Sequence, residues 1–199
     1  MIRRVMLLIL TAIVLVTLSG CMGGGPGIDT AAITTAIGRV IDGFEADIEA
    51  YDIDETDGAL SCLSGTGFKL TLEEAGASYD KTYATLKQEL EDDEENQLYW
   101  RTNNGYRLDL RLGTRVFSNV SATGAVVTQR YSVAEWATRI PVVVTDQGSI
   151  TWQFANVSGA WKATAMWITF EPVQTRAAGI RAGGAAPTGF GFGVGLNGL

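Results

Sequence analysis

The sequence predicts an α+β fold, with N-terminal helices packed on one face of an antiparallel sheet. Three observations lead there. Ile33, Ile37, Val40, Ile41, Phe44, Ile48 and Tyr51 recur at three- and four-residue steps, which places them on one helical face. Tyr106, Leu108, Leu110 and Leu112 alternate with Arg107, Asp109 and Arg111, the period of a half-buried strand. Two further apolar runs, Ile150 to Val157 and Ala160 to Phe170, meet at Ser158-Gly159, a hairpin signal.

The elements follow in order. A first helix covers Ile28 to about Tyr51, with Asp29 or Thr30 as its cap. A short second helix is expected over Glu55 to Leu63 with Asp54 at its N-cap, ended by Ser64-Gly65-Thr66-Gly67. A third runs from about Ala77 to Glu91, with Tyr79, Tyr83, Leu86 and Leu90 on one face. The acid run Glu91-Asp92-Asp93-Glu94-Glu95 opposes the helix dipole, so the helix is expected to fray there into a solvated loop. Strands follow at Tyr106 to Leu112, Val116 to Val120, Ala125 to Val133 and Pro141 to Thr145, before the closing hairpin. From Gln174 onward Gly and Ala dominate, and such a segment buries too little surface to offset its ordering entropy.

The N-terminus carries its own message. Arg3 and Arg4 precede an almost wholly apolar run from Val5 to Val16, interrupted only by Thr11. A charged start, a short apolar run and a small-residue site make a secretory signal, too short for the ~20 apolar residues of a spanning helix. Leu18-Ser19-Gly20-Cys21 resembles the bacterial lipobox. That resemblance implies diacylglycerol on Cys21, cleavage before it, and acylation of the new amino group with palmitate-type chains. Residues 1–20 are then the signal peptide and residues 21–27 a Gly-rich tether. The implied location is the cell envelope: the outer membrane if the source has two membranes, otherwise the outer face of the plasma membrane.

Composition excludes several chemistries. Removing residues 1–20 takes away Arg3 and Arg4 and no acid, so the formal charge of −7 becomes −9. An acidic domain is a poor nucleic-acid binder. The chain has no histidine, which rules out Ser-His-Asp and Cys-His catalysis and His-based metal sites. Asp52 to Gly58 fails the calcium-loop register, since Thr56, Asp57 and Leu63 stand at its fifth, sixth and twelfth positions. No metal and no cofactor is expected. Cys62 lies in an apolar stretch with no basic neighbour in sequence, as a buried small hydrophobe rather than a reactive thiol.

The element order, the ending Glu49-Ala50-Tyr51-Asp52-Ile53-Asp54 of the first helix and the strand Gly159-Ala160-Trp161-Lys162 carry a second resemblance. From about Ile28 to Phe170 the chain resembles the NTF2-like superfamily, also called SnoaL-like or cystatin-like, so residues 28–173 form the domain and 174–199 a tail. The resemblance implies a cone: a bent sheet wrapped around the first helix, leaving a pocket. Enzymes of this superfamily use an Asp or an Asp–His pair inside the cone. Here the His is missing, and Asp109 alternates with arginines and faces away. A carboxylate base would have to come from elsewhere, such as Asp52 or Glu45.

Tyr79, Tyr83, Trp100, Tyr106, Tyr131, Trp152 and Trp167 are the candidate lining of such a pocket. Apolar walls with a few hydroxyls suit a small apolar or amphipathic ligand. The leading expectation is a non-enzymatic envelope lipoprotein that binds a ligand or an envelope protein. An isomerase- or cyclase-type enzyme and an accessory subunit of an envelope complex are the alternatives, and a dimer is compatible with each. Mass spectrometry of the mature N-terminus is expected to find acyl chains on Cys21; an unmodified Cys21, or a retained Met1, would defeat the anchor.

Overall fold

The computed structural model describes residues 27–173 except Arg139. The signal peptide, Cys21 with all of the tether but Gly27, and the 174–199 tail lie outside the described residues. Helix α1 spans Thr30–Ala50. Asp29, not Thr30, caps it, accepting from the Ala32 N–H at 2.9 Å. Tyr51 ends it in the left-handed region at φ 60°. Ile37, Ile41, Phe44 and Ile48 are its buried stripe, as the periodicity predicts.

The expected second helix shrinks to a 3-10 turn, Ala59–Cys62. Asp54 Oδ1 accepts the Thr56 N–H at 2.6 Å and Asp52 Oδ1 accepts the Asp54 N–H at 3.3 Å. These side-chain bonds compete with helix formation and hold a turn instead. The loop folds back tightly enough that a Cβ on Gly58 would lie 2.6 Å from the Asp54 nitrogen.

The third helix starts later and runs further than the sequence predicts. Residues 69–82 form a hairpin, β1 (Lys69–Glu74) and β2 (Ala77–Thr82). Its turn residues Ala75 and Gly76 both have positive φ, 49° and 86°, as a tight hairpin turn demands. Thr71 donates to Asp80 at 2.7 Å and Lys69 pairs with Asp80 at 2.8 Å across the two strands. Helix α2 then spans Tyr83–Asn104, capped by Thr82 and ended by Gly105. The acid run sits inside it rather than fraying. Gln88 and Gln97 donate to Asp92 and Asp93 at 2.8 and 2.9 Å, and Lys87 pairs with Glu91 at 3.5 Å, the one-turn contacts that support a helix face.

The remaining strands are β3 (Arg107–Leu112), β4 (Val116–Ser118), β5 (Gly124–Ala137), β6 (Ile140–Val157) and β7 (Ala160–Phe170). The two expected strands at 141–145 and 150–157 are one continuous β6. Ser158 and Gly159 form the expected turn, at φ 54° and 89°. The seven-stranded sheet runs β2-β1-β7-β6-β5-β3, with β4 also on β5. It is mixed, not wholly antiparallel, because β1 lies parallel to β7. Register shifts interrupt β5–β6 near Val133 and Glu135 and β6–β7 near Gln153. Such bulges sharpen the twist and bend the sheet around α1.

The core lies in that hollow. The Phe44 ring meets Trp152 edge-on at 5.1 Å, and Trp152 stacks on Phe154 at 5.9 Å. Glu45 and Glu49 of α1 accept the Leu112 and Leu110 N–H groups of β3 at 3.1 and 3.0 Å. Four helical residues rise ~6.0 Å and two strand residues ~6.8 Å, so the two carboxylates match the edge donors. Phe44→Ala is expected to cost about 3–5 kcal/mol in denaturant unfolding; a loss under about 1 kcal/mol would mean that α1 is not seated on Trp152.

Candidate functional site

Beyond the apolar core, the hollow ends in a band of polar side chains from both layers. Leu108 pairs with Glu135, and Val133 pairs with both Leu110 and Asp146. Directly paired residues share a face, so Glu135 and Asp146 point inward with the leucines. Tyr131 faces inward too, and its hydroxyl donates to Asp146 Oδ1 at 3.0 Å. The Tyr131 ring lies over Gly148, where a Cβ would come within 3.0 Å of it.

Burial sets the proton affinities here. It pushes the Asp146 carboxyl up to about 6, against the opposing hydrogen bonds from Tyr131 and the Gln147 backbone. Burial also raises Glu135, while Thr145 and Tyr106 pull it back and the charge on Asp146 adds to the rise. The Tyr106 and Tyr131 hydroxyls are both pushed well above the usual tyrosine range, first by burial and then by the neighbouring acids. Tyr106 faces Glu135 without the geometry of a well-formed hydrogen bond.

The helical side supplies Gln97 and Arg101, one turn apart on α2. Gln97 is only 3% exposed. Its Nε2 donates to Asp93, while its Oε1 has no hydrogen-bond partner among the described residues. Arg101 donates through Nη1 to the Glu49 carbonyl at 2.8 Å. Its guanidinium lies 5.7 Å from the Tyr51 ring centre and 5.8 Å from that of Tyr106. Burial lowers its proton affinity, and Arg107 adds to that effect. The Tyr51 hydroxyl donates to the Leu90 carbonyl at 2.8 Å.

The aromatic residues singled out from sequence scatter. Tyr106 and Tyr131 line the band, 5% and 4% exposed. Trp152 is solid core at 0% exposure. Trp100 packs partly buried against the core and meets Tyr99 edge-on at 6.3 Å. Tyr79 sits on edge strand β2, 43% exposed. Tyr83 begins α2 and donates to Glu55 at 2.6 Å. Trp167 alternates with buried Met166 and Ile168, so it lies on the outer face of the sheet. Asp109 faces outward and pairs with Arg111 at 2.6 Å. Glu45 is raised by burial but already accepts the β3 backbone, and Asp52 belongs to the turn before Gly58.

Sequence reasoning missed Gln97, Arg101, Glu135 and Asp146. The first pair lay beyond the expected helix end, yet continues the face of Leu86 and Leu90. Glu135 keeps the parity of Tyr131 and Val133. Asp146 fell in what read as a gap between two strands.

The spaces that adjoin the core include a small void and an open groove. An enclosed void of about 10 Å³ lies among Phe44, Ile48, Leu60, Leu70, Leu90 and Met166, no more than the ~10–15 Å³ that one water requires. An open groove of about 460 Å³ runs outside α1, between Arg39, Val40, Asp47, Trp161 and Lys162. Cys62 lines it, 8% exposed, with its thiol pushed up to about 12 by burial. Among the described residues no His, Cys, Asp and Glu group is arranged to hold a metal ion, and no helix is long and apolar enough to cross a membrane.

No family model and no curated protein matches this sequence. Solved structures do match. An NTF2-like protein with a cystatin-like fold from Novosphingobium aromaticivorans is 12% identical over 75% of this chain and 95% of its own, at a TM-score of 0.54. The beta subunit of the benzoate 1,2-dioxygenase from Burkholderia mallei is 12% identical over 74% and 93%, at 0.55. A candidate scytalone dehydratase from N. aromaticivorans is 15% identical over 73% and 89%, at 0.55. At such identities the likeness is one of fold. The chain has the α+β cone fold of the NTF2-like, cystatin-like proteins.

The raised Asp146 gives a signed pH dependence. Its folded-state carboxyl, at about 6, lies above its ordinary 3.8, so its contribution to stability is full at low pH and is lost as pH rises from about 4 through about 6. Asp146→Asn keeps an acceptor for Tyr131 and cannot ionise. Its unfolding midpoint is expected to fall less between pH 4 and pH 8 than that of the native chain; identical pH profiles would remove Asp146 from the buried band.

Proposed function

We propose that the chain is a cell-envelope lipoprotein, held by lipid on Cys21, whose cone domain binds a small molecule in the polar band between α2 and the sheet. One observation carries the binding role. Among the described residues, Gln97 Oε1, Tyr106 Oη and two nitrogens of Arg101 are buried without well-formed hydrogen bonds, with the Arg101 guanidinium 5.8 Å from the Tyr106 ring centre, and Asp146 Oδ2 on β6 is likewise without one. Each such group costs about 1–3 kcal/mol while it stays unpaired, and native proteins retain few of them. Convergent polar groups in an apolar setting are the usual chemistry of a small-molecule site. The packed apolar core explains why the band, and not the centre of the cone, takes this role. The anchor is supported by the residues around Cys21.

A screen of fragment mixtures by ¹H–¹⁵N NMR tests the role. Bound fragments are expected to move the Gln97 side-chain amide, the Arg101 Nε–H and the Tyr106 amide together. Shifts confined to the Trp161–Lys162 groove, or none, would sink it.

A second reading has its own observation. An acid at about 6 bonded to a tyrosine is suited to moving a proton near neutrality, the chemistry of an isomerase, dehydratase or cyclase. Exchange of α-hydrogens of an enolisable ketone in D₂O that disappears in Asp146→Asn would favour this reading over simple binding.

A further inference from the structure

We infer that the ligand of the polar band is a small monocarboxylate with an apolar body, gripped by Arg101 through its Nε–H and Nη2–H. This rests on the binding role proposed for the band, and gives that role a chemical class. The guanidinium has one N–H direction committed, Nη1 to the Glu49 carbonyl at 2.8 Å. Among the described residues, Nε and Nη2 are buried with no hydrogen-bond partner. These two nitrogens form one edge of the planar group, and their parallel N–H bonds match the two oxygens of a carboxylate. Among the described residues no Asp or Glu forms a salt bridge with Arg101.

The Tyr51 and Tyr106 rings steady the cation against its faces, but cannot satisfy in-plane donors. Arg107 adds positive charge nearby. The same rings supply the apolar wall for a ligand body. Gln97, buried on the turn before Arg101, offers its free Oε1 to a donor on the ligand. Glu135 and Asp93 are the acids that act on Tyr106, so a second anionic group on the ligand would meet them unfavourably. That selects a monoanion, with any hydroxyl or ammonium directed toward Glu135.

The test compares phenylacetate with phenylacetamide, which share shape and differ in charge. Both are titrated into the full chain in non-ionic detergent, with ¹⁵N-labelled arginine. Phenylacetate is expected to shift the Arg101 Nε–H, and to bind at least tenfold more tightly than the amide. Arg101→Lys keeps the charge and removes the planar edge, and is expected to weaken phenylacetate at least tenfold. If acid and amide bind the band alike, or the Lys variant binds phenylacetate as the native chain does, the carboxylate inference falls and the binding role stands. If both probes leave Gln97, Arg101 and Tyr106 unmoved, and the fragment screen does too, both fall. Should Arg101→Lys fail to fold, the native Arg101 signal still decides between acid and amide.

Discussion

The fold depends on α1 lying lengthwise in the hollow of the sheet. Two unlike interactions put it there. Burial of Ile37, Ile41, Phe44 and Ile48 against Trp152 and its neighbours is strong but has little direction. The bonds from the Leu110 and Leu112 N–H groups to Glu49 and Glu45 are weaker and directional. Together they set both the depth and the rotation of the helix. They also occupy donors on β3, an edge strand that would otherwise offer them to another chain.

Seating α1 in this way divides the interior. The middle of the hollow fills with Phe44, Trp152 and Phe154, so little space remains there. Polar side chains are displaced to the end that α2 covers with its second half. Low polarizability of the surroundings strengthens every electrostatic effect in that place. This is why one environment raises Asp146 and Glu135, lowers Arg101, and leaves some of their atoms without partners. The same surroundings that make these groups costly to bury make them selective for a partner of the right charge and shape.

Legibility followed the range of the interactions. The α1 stripe, the β3 alternation and the Ser158-Gly159 turn are local patterns, and each appears in the structure as the sequence predicts. The errors came where a local pattern had two solutions. Ala77 to Thr82 read as helix because Tyr79 is in phase with Tyr83. It is a strand because β1 pairs with β7 and offers β2 a partner. The acid run reads as a helix end, yet the helix continues to Asn104 and carries Arg101, whose bond to the Glu49 carbonyl ties it to α1. Aromatic type marks a residue as a candidate for a pocket wall, but it does not tell which face of a strand or helix meets the hollow.

By itself the sequence determined the class of the domain, the capped and striped first helix, and the absence of histidine chemistry. These follow from residue identity and short spacing. Only the tertiary structure decided that the sheet is mixed, that the hollow is packed at its centre, that Gln97 and Arg101 come to lie beside Tyr106, and that Tyr131, Glu135 and Asp146 share the inner face of β5 and β6. The physical reason is that their meeting is a property of strand register and of the angle of α2 over the sheet. Both are settled by contacts between residues far apart in the chain, which no local period records.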